Sequence, residues 1–237
     1  MHLPPMKSGI LLRRYKRFLA DVRLDSGEEV VAHCPNPGRM TACMAEGGRV
    51  WLSESHSPKR KLRWTWEITE FAGMPPIYVL VHTGRINGLV DEALADELLP
   101  EVAGYESVRR EVRCGDTGRR LDFLLEGVRG KCWVEVKSAT MLADDGVVRF
   151  PDAVTKRGRH HLEVLADQVQ IGERAVLLFV VPRPEGRGVG PADSVDPAYA
   201  ETLRWAVNRG VEIYARRAVV RPGEAYLSDS VPVILEG

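Results

Sequence analysis

The hydrophobic and polar positions change rhythm once, a little past residue 80. Before that point, short strand-like runs are separated by turn residues. They are Ile10–Arg17, Phe18–Leu24, Val30–Cys34, Arg49–Ser53, Leu62–Phe71 and Ile77–Val81. Asp25-Ser26-Gly27-Glu28 and Pro35-Asn36-Pro37-Gly38 are the clearest breaks between them. Alternation with a period of two turns one face of each run toward a core. Five or six short strands in about eighty residues predict a small barrel of the OB type.

From Ile86 the spacing is helical: Leu89, Ala93, Leu94 and Leu98 fall on one side, and Pro100 limits the helix. Strands follow at Val108–Cys114, Arg120–Leu125 and Cys132–Val136, joined by turns at Gly115–Gly118 and Gly127–Gly130. After Gly146–Phe150 come a helix over Ala153–Gln170 and the apolar strand Ala175–Val181. The Pro- and Gly-rich segment Pro182–Pro197 is expected to be a mobile loop. A helix over Tyr199–Asn208, closed by Gly210, and a strand at Val211–Ala215 end the pattern. This order of helices and strands is that of an α/β fold. The expectation is a two-domain α/β protein, with an OB-like barrel over residues 1–82 and an α/β domain with a mixed sheet over 83–237.

Composition narrows the classes. Hydrophobic residues at 44% and charged ones at 28% suit a soluble globular chain. The longest apolar run, Ala175–Val181, is far shorter than the roughly 20 residues that cross a bilayer, so no membrane partner is expected. Met1–Ser8 holds two prolines and leads toward Arg13, Arg14, Lys16 and Arg17, unlike a signal peptide. Cysteines 34, 43, 114 and 132 have no zinc spacing and read as reduced thiols of a cytoplasmic protein. The net charge of +0 hides an asymmetry, since residues 1–81 carry 12 Lys and Arg against 8 Asp and Glu. A basic module suits phosphate backbones, although chance surface variation produces imbalances of this size as well.

The candidate chemistry lies in neighbouring strands. Asp122 sits in one; Glu135-Val136-Lys137 sits in the next, where Glu135 and Lys137 share a face. If the strands pair through the Gly127–Gly130 turn, Asp122 lies opposite Glu135. Two carboxylates and a backbone carbonyl form a hard-oxygen site for Mg²⁺ or Mn²⁺. Such a cation activates water and holds a scissile phosphate, with Lys137 beside it. Arg120, two residues before Asp122, is placed to reach a phosphate oxygen. The same Asp, Glu and Lys spacing also occurs as plain surface charge pairing. Arg157 and His161 lie one helical turn apart and offer a phosphate-binding face, or simply a solvated one. Lys16, Arg17 and Arg39 are further phosphate candidates at loop or edge positions. Trp64 and Trp66 fit either stacking on bases or a barrel core, with core favoured. His33 reads as a barrel residue, and Glu111 as the partner of Arg109 and Arg113 in a surface charge pair.

Several stretches resemble one family. They are Arg14-Tyr-Lys-Arg-Phe-Leu-Ala-Asp-Val22, Cys34-Pro-Asn-Pro-Gly38, Trp66-Glu-Ile-Thr69, Arg120-Leu-Asp-Phe123, Val134-Glu-Val-Lys-Ser138, Phe150-Pro-Asp-Ala-Val-Thr155 and Arg157-Gly158. Together they are similar to the sugar fermentation stimulation protein A family, from about Leu11 to Leu235. The resemblance implies an OB fold joined to a domain of the PD-(D/E)XK nuclease superfamily, of restriction-endonuclease type, and a DNA-binding role. It implies Asp122, Glu135 and Lys137 as the core catalytic positions and Glu92 as an added metal or water ligand. The chain departs from the pattern at Arg119, at Gly88 (where an arginine is expected) and at Pro37. The leading expectation is a Mg²⁺-dependent nuclease acting on DNA or RNA. The alternative is a non-catalytic DNA-binding regulator of sugar metabolism that keeps the fold.

Overall fold

The computed structural model describes residues 1–115 and 118–236. Asp116 and Thr117, the centre of the expected Gly115–Gly118 turn, lie outside the described residues.

The first five strands close on themselves. They are β1 (Met6–Tyr15), β2 (Leu19–Leu24), β3 (Glu29–His33), β4 (Arg49–Glu54) and β5 (Trp64–Phe71). Antiparallel neighbours run β3-β2-β1-β4-β5, and a parallel β3–β5 pairing shuts the barrel. β6 (Ile77–Leu80) adds to β5 from outside the closed ring. Leu11, Val22, Leu52 and Trp66 fill the interior without solvent exposure. Trp64 is 5% exposed, so both tryptophans are core and unavailable for stacking on bases.

The chain then forms α1 (Thr83–Ala95), a 3₁₀ turn at Pro100–Val102, β7 (Ser107–Cys114), β8 (Arg119–Gly127) and β9 (Gly130–Ser138). Next come β10 (Met141–Leu142), β11 (Val147–Phe150), α2 (Lys156–Gln170), β12 (Arg174–Val181) and β13 (Gly188–Pro191). α3 (Pro197–Asn208), β14 (Glu212–Arg221) and β15 (Glu224–Ser230) complete it. The main sheet has the order β15-β14-β12-β9-β8-β7, parallel through β9, β12 and β14 and antiparallel toward both edges. Helices cover both faces, which explains why β12 is apolar at every position after Arg174. Leu177 and Phe179 pack in the core under α2 and α3, whereas Val176, Leu178 and Val180 pack in the core with α1. Each such buried side chain contributes about 1.5–3 kcal/mol.

Local signals set the helix starts. Thr155 caps α2 by accepting from the Gly158 N–H at 3.0 Å. Asp196 caps α3 by accepting from the Tyr199 N–H at 3.0 Å, with Pro197 in the first turn. α1 begins earlier than its apolar spacing indicates and leaves Leu98 outside, 58% exposed.

The segment expected to be a mobile loop is largely packed. Gly188–Pro191 is buried and pairs in parallel with β11. Its glycines let the C-terminal segment lie directly on it: a Cβ at Gly190 would strike the Ile234 carbonyl oxygen. The amino terminus also departs from the barrel. The Leu3 N–H donates to the Gly223 carbonyl at 2.9 Å, and the Met1 amine to that of Ala225 at 2.8 Å. Ile86, Leu89 and Val90 of α1 share one core with Leu3, Ile68 and Leu80.

Candidate active site in the interdomain cleft

The pairing of β8 with β9 runs from the Gly127–Gly130 turn to Phe123 and Val134, and stops there. One residue further, Asp122 lies across from Glu135. The freed Val136 N–H finds a new acceptor in Asp122 Oδ2 at 2.8 Å. The other oxygen, Oδ1, accepts from Asn87 Nδ2 of α1 at 2.8 Å. A splayed strand pair thus becomes a pocket, with a carboxylate in place of a ladder bond.

Glu135 is only 2% exposed, between β12 and α2. Its Oε1 accepts from both Lys137 Nζ and His161 Nδ1. Arg157 Nε donates to His161 Nε2 at 3.3 Å, so the imidazole carries its proton on Nδ1 and donates it to Glu135. Glu135 Oε2 is buried with no partner. An unpaired carboxylate oxygen in this setting costs about 1–3 kcal/mol or more, which a bound cation would relieve.

The two carboxyls are pushed apart electrostatically. Burial and the neighbouring Glu135 charge raise Asp122 to about 6, against which Lys137, the Val136 N–H and Asn87 act only in part. Burial alone would raise Glu135 too. The Lys137 charge and the hydrogen bonds from His161 and Lys137 outweigh it and hold that carboxyl below its usual value. Among the described residues no three His, Cys, Asp or Glu side chains form a ready metal cage. A two-carboxylate site still fits Mg²⁺, which keeps several waters and takes substrate phosphate oxygens as further ligands.

These groups line a cleft of 480 Å³ between the barrel and the main sheet. Asp122, Glu135, Lys137, Arg157, His161 and Arg17 all border it. His161 was expected to touch nucleic acid, but it is 5% exposed with both ring nitrogens engaged, so it braces Glu135 instead. Glu92 is not brought to the cleft. It pairs with the Met1 amine at 2.6 Å, and Asn87 is the α1 side chain that reaches Asp122. A Cβ at Gly88 would meet only the terminal methyl of Met1, the far end of a flexible side chain. Lys16, Arg39 and Arg120 are exposed outside the cleft lining. Lys16 and Arg17 form a left-handed turn between β1 and β2, with φ of 49° and 63°.

Sequence reasoning missed Asn87, Asp152 and Glu111. Asn87 carries no pattern beyond a helix start, and Asp152 gave no chemical signal beyond the motif that contains it. The sequence pattern makes Glu111 a charge partner of Arg109 and Arg113, yet Arg109 pairs with Glu126 at 2.9 Å. Glu111 is instead an irregular point in β7, with φ of 51° and no ion pair among the described residues, and it lines the cleft. All four cysteines are buried. No helix among the described residues is long and apolar enough to cross a membrane.

Comparison with known proteins agrees with this arrangement. The model for the SfsA N-terminal OB domain matches residues 12–81, and that for the sugar fermentation stimulation protein RE domain matches residues 84–224. The sugar fermentation stimulation protein homolog of Geobacter metallireducens is 49% identical over 236 residues, covering 99% of this chain and 100% of that one. That of Chromohalobacter salexigens is 50% identical over 244 residues, covering 100% and 96%. The structure of Pyrococcus furiosus SfsA in complex with Ca²⁺ is 30% identical, with a TM-score of 0.88 over 99% of this chain and 98% of that one.

Proposed function

This chain belongs to the sugar fermentation stimulation protein family, and we propose that it binds DNA and hydrolyses phosphodiesters with a divalent cation. The observation that carries the proposal is the pair Asp122 and Glu135, with one buried carboxylate oxygen left unpartnered beside Lys137. A protein that only bound DNA would gain nothing from two carboxylates facing phosphate. The Pyrococcus furiosus relative is in complex with Ca²⁺, which supports the use of a divalent cation by this chain.

Asp122 and Glu135 would hold Mg²⁺ or Mn²⁺. Such a cation supplies positive charge to the scissile phosphate and acidifies an attacking water. Lys137, paired with Glu135, can stabilise the charge that grows on the phosphate oxygens. His161 and Lys137 hold Glu135 through Oε1, which leaves Oε2 without a protein partner. Arg157 spends only Nε on that histidine and keeps its remaining N–H groups for phosphate. Arg17 at the rim, and Lys16, Arg39 and Arg120 outside, extend the basic path, as RNA or DNA alike would require.

The test is incubation of purified protein with labelled DNA and RNA strands, with Mg²⁺ or Mn²⁺ and then with EDTA. Metal-dependent cleavage that disappears in Glu135→Gln supports the proposal. Tight binding without cleavage by the wild type would instead leave a DNA-binding regulator.

A further inference from the structure

The cleft has a roof, and the roof is pinned at both ends. At one end the Pro35 carbonyl accepts from the Thr83 N–H at 3.3 Å and from Thr83 Oγ1 at 2.9 Å, at the start of α1. At the other, the Met40 N–H donates to Asp152 Oδ2 at 2.6 Å, in the segment between β11 and α2. Gly38 lies so close to the Asp152 carboxylate that any side chain there would collide with it. The barrel loop between these points therefore crosses from one wall of the cleft to the other.

Its rigidity is also built in. Buried Asn36 donates from Nδ2 to the Val81 carbonyl at 3.0 Å and accepts the Gly38 N–H on Oδ1 at 2.9 Å. Arg14 donates to the carbonyls of Asn36 and Gly38 at 2.8 and 2.9 Å. Beyond the roof, Arg183 bolts the barrel to the second domain, donating to the carbonyls of Ala42 at 2.9 Å and Thr140 at 2.7 Å. A loop held by this many bonds is a fixed wall and not a swinging lid.

The geometry points to a site that takes one unpaired nucleic-acid strand and refuses continuous duplex; this inference rests on the proposed nucleic-acid function. A space of 480 Å³ is in the range of about 300–1,000 Å³ that encloses a ligand of one or two nucleotides. For a backbone phosphate to reach Glu135, the strand must pass under Pro37 and Gly38. In a duplex, the complementary strand would have to occupy the volume of the roof. Arg17, which donates to the Pro37 carbonyl at 3.2 Å, and Arg157 of α2 both line the cleft and are placed to hold phosphates of that strand.

The experiment compares one labelled 30-nucleotide DNA strand with its G·C-clamped duplex, using the full-length protein. Cleavage is followed in Mn²⁺, and binding is followed in Ca²⁺ for wild type, Arg157→Ala and Arg17→Ala, with folding checked by circular dichroism. Single-strand cleavage at least about tenfold faster than duplex cleavage is expected. Each arginine variant should weaken single-strand binding by about tenfold, the loss of one charge-assisted hydrogen bond, and leave duplex binding on the outer surface unchanged. Equal cleavage of both substrates, or equal loss of affinity for both, overturns the inference. Absence of all cleavage with the single-strand binding loss intact removes the hydrolytic function and leaves the strand selectivity standing. If neither variant changes either affinity, the cleft is not the nucleic-acid site and both readings fall.

Discussion

Asp122→Asn should make the metal-free protein more stable at pH 8 and leave it nearly unchanged at pH 4. A carboxyl raised from 3.8 to about 6 is destabilised as a carboxylate by about 3 kcal/mol. The folded state holds that proton more tightly than the unfolded chain. The cost of ionisation is therefore absent below the ordinary value of 3.8, grows between there and about 6, and is complete above it. Asparagine removes the charge while its Oδ1 still accepts the Val136 N–H. The Asn87 amide needs only to turn over to accept from the new side-chain NH₂. The expected gain at pH 8 is up to about 3 kcal/mol, or about 6–12 °C in Tm for a chain of this size. Thermal unfolding in EDTA at pH 4, 6 and 8 reads it directly. Added Mg²⁺ or Ca²⁺ should then reverse the order. At about 1,000 times its dissociation constant a cation stabilises wild type by about 4.1 kcal/mol, more than the gain from asparagine, and the variant far less. A gain equal at pH 4 and pH 8, or a loss at pH 8, would refute the claim that a buried charge is what strains this site.

Three further outcomes follow from the same geometry. Glu135→Gln and Lys137→Ala should each abolish metal-dependent cleavage of labelled DNA while the far-ultraviolet dichroism stays native; wild-type rates in either would remove these residues from catalysis. Gly38→Ala should lower stability by about 1–3 kcal/mol through its collision with Asp152, and most of that loss should vanish in an Asp152→Ala background. A purely additive double mutant would mean that the roof does not rest on Asp152. Charge reversal at Lys16, Arg17 or Arg39 should weaken single-stranded DNA binding evenly across sequences, and should flatten the log K against log salt slope by about one per lost phosphate contact. An unchanged slope would move the grip onto the second domain.

Much of this protein was legible from its residues alone. Alternating strands before residue 80 and the βββ-helix-strand order after it reflect periodicities that local backbone geometry imposes, and the structure keeps both. Asp122, Glu135 and Lys137 could be brought together on paper, because the Gly127–Gly130 turn sets the register of the two strands that carry them. What tertiary structure alone decided is how the remaining groups meet that core. His161 shows the surface pattern of a basic helix, yet α2 lies over β9 and carries the ring into burial against Glu135. The family resemblance implies Glu92 as a ligand, but the docking of α1 hands that position to Asn87 and gives Glu92 to the Met1 amine, whose sequence separation no local pattern spans. Gly188 and Gly190 read as loop residues because their composition resembles one. Their role as bare surfaces for Ile234 exists only once the C-terminal segment has returned. The roof over the cleft has the same character: Gly38 and Asp152 are far apart along the chain, and a contact at that separation is set by the docking of two folded units rather than by the propensity of either segment.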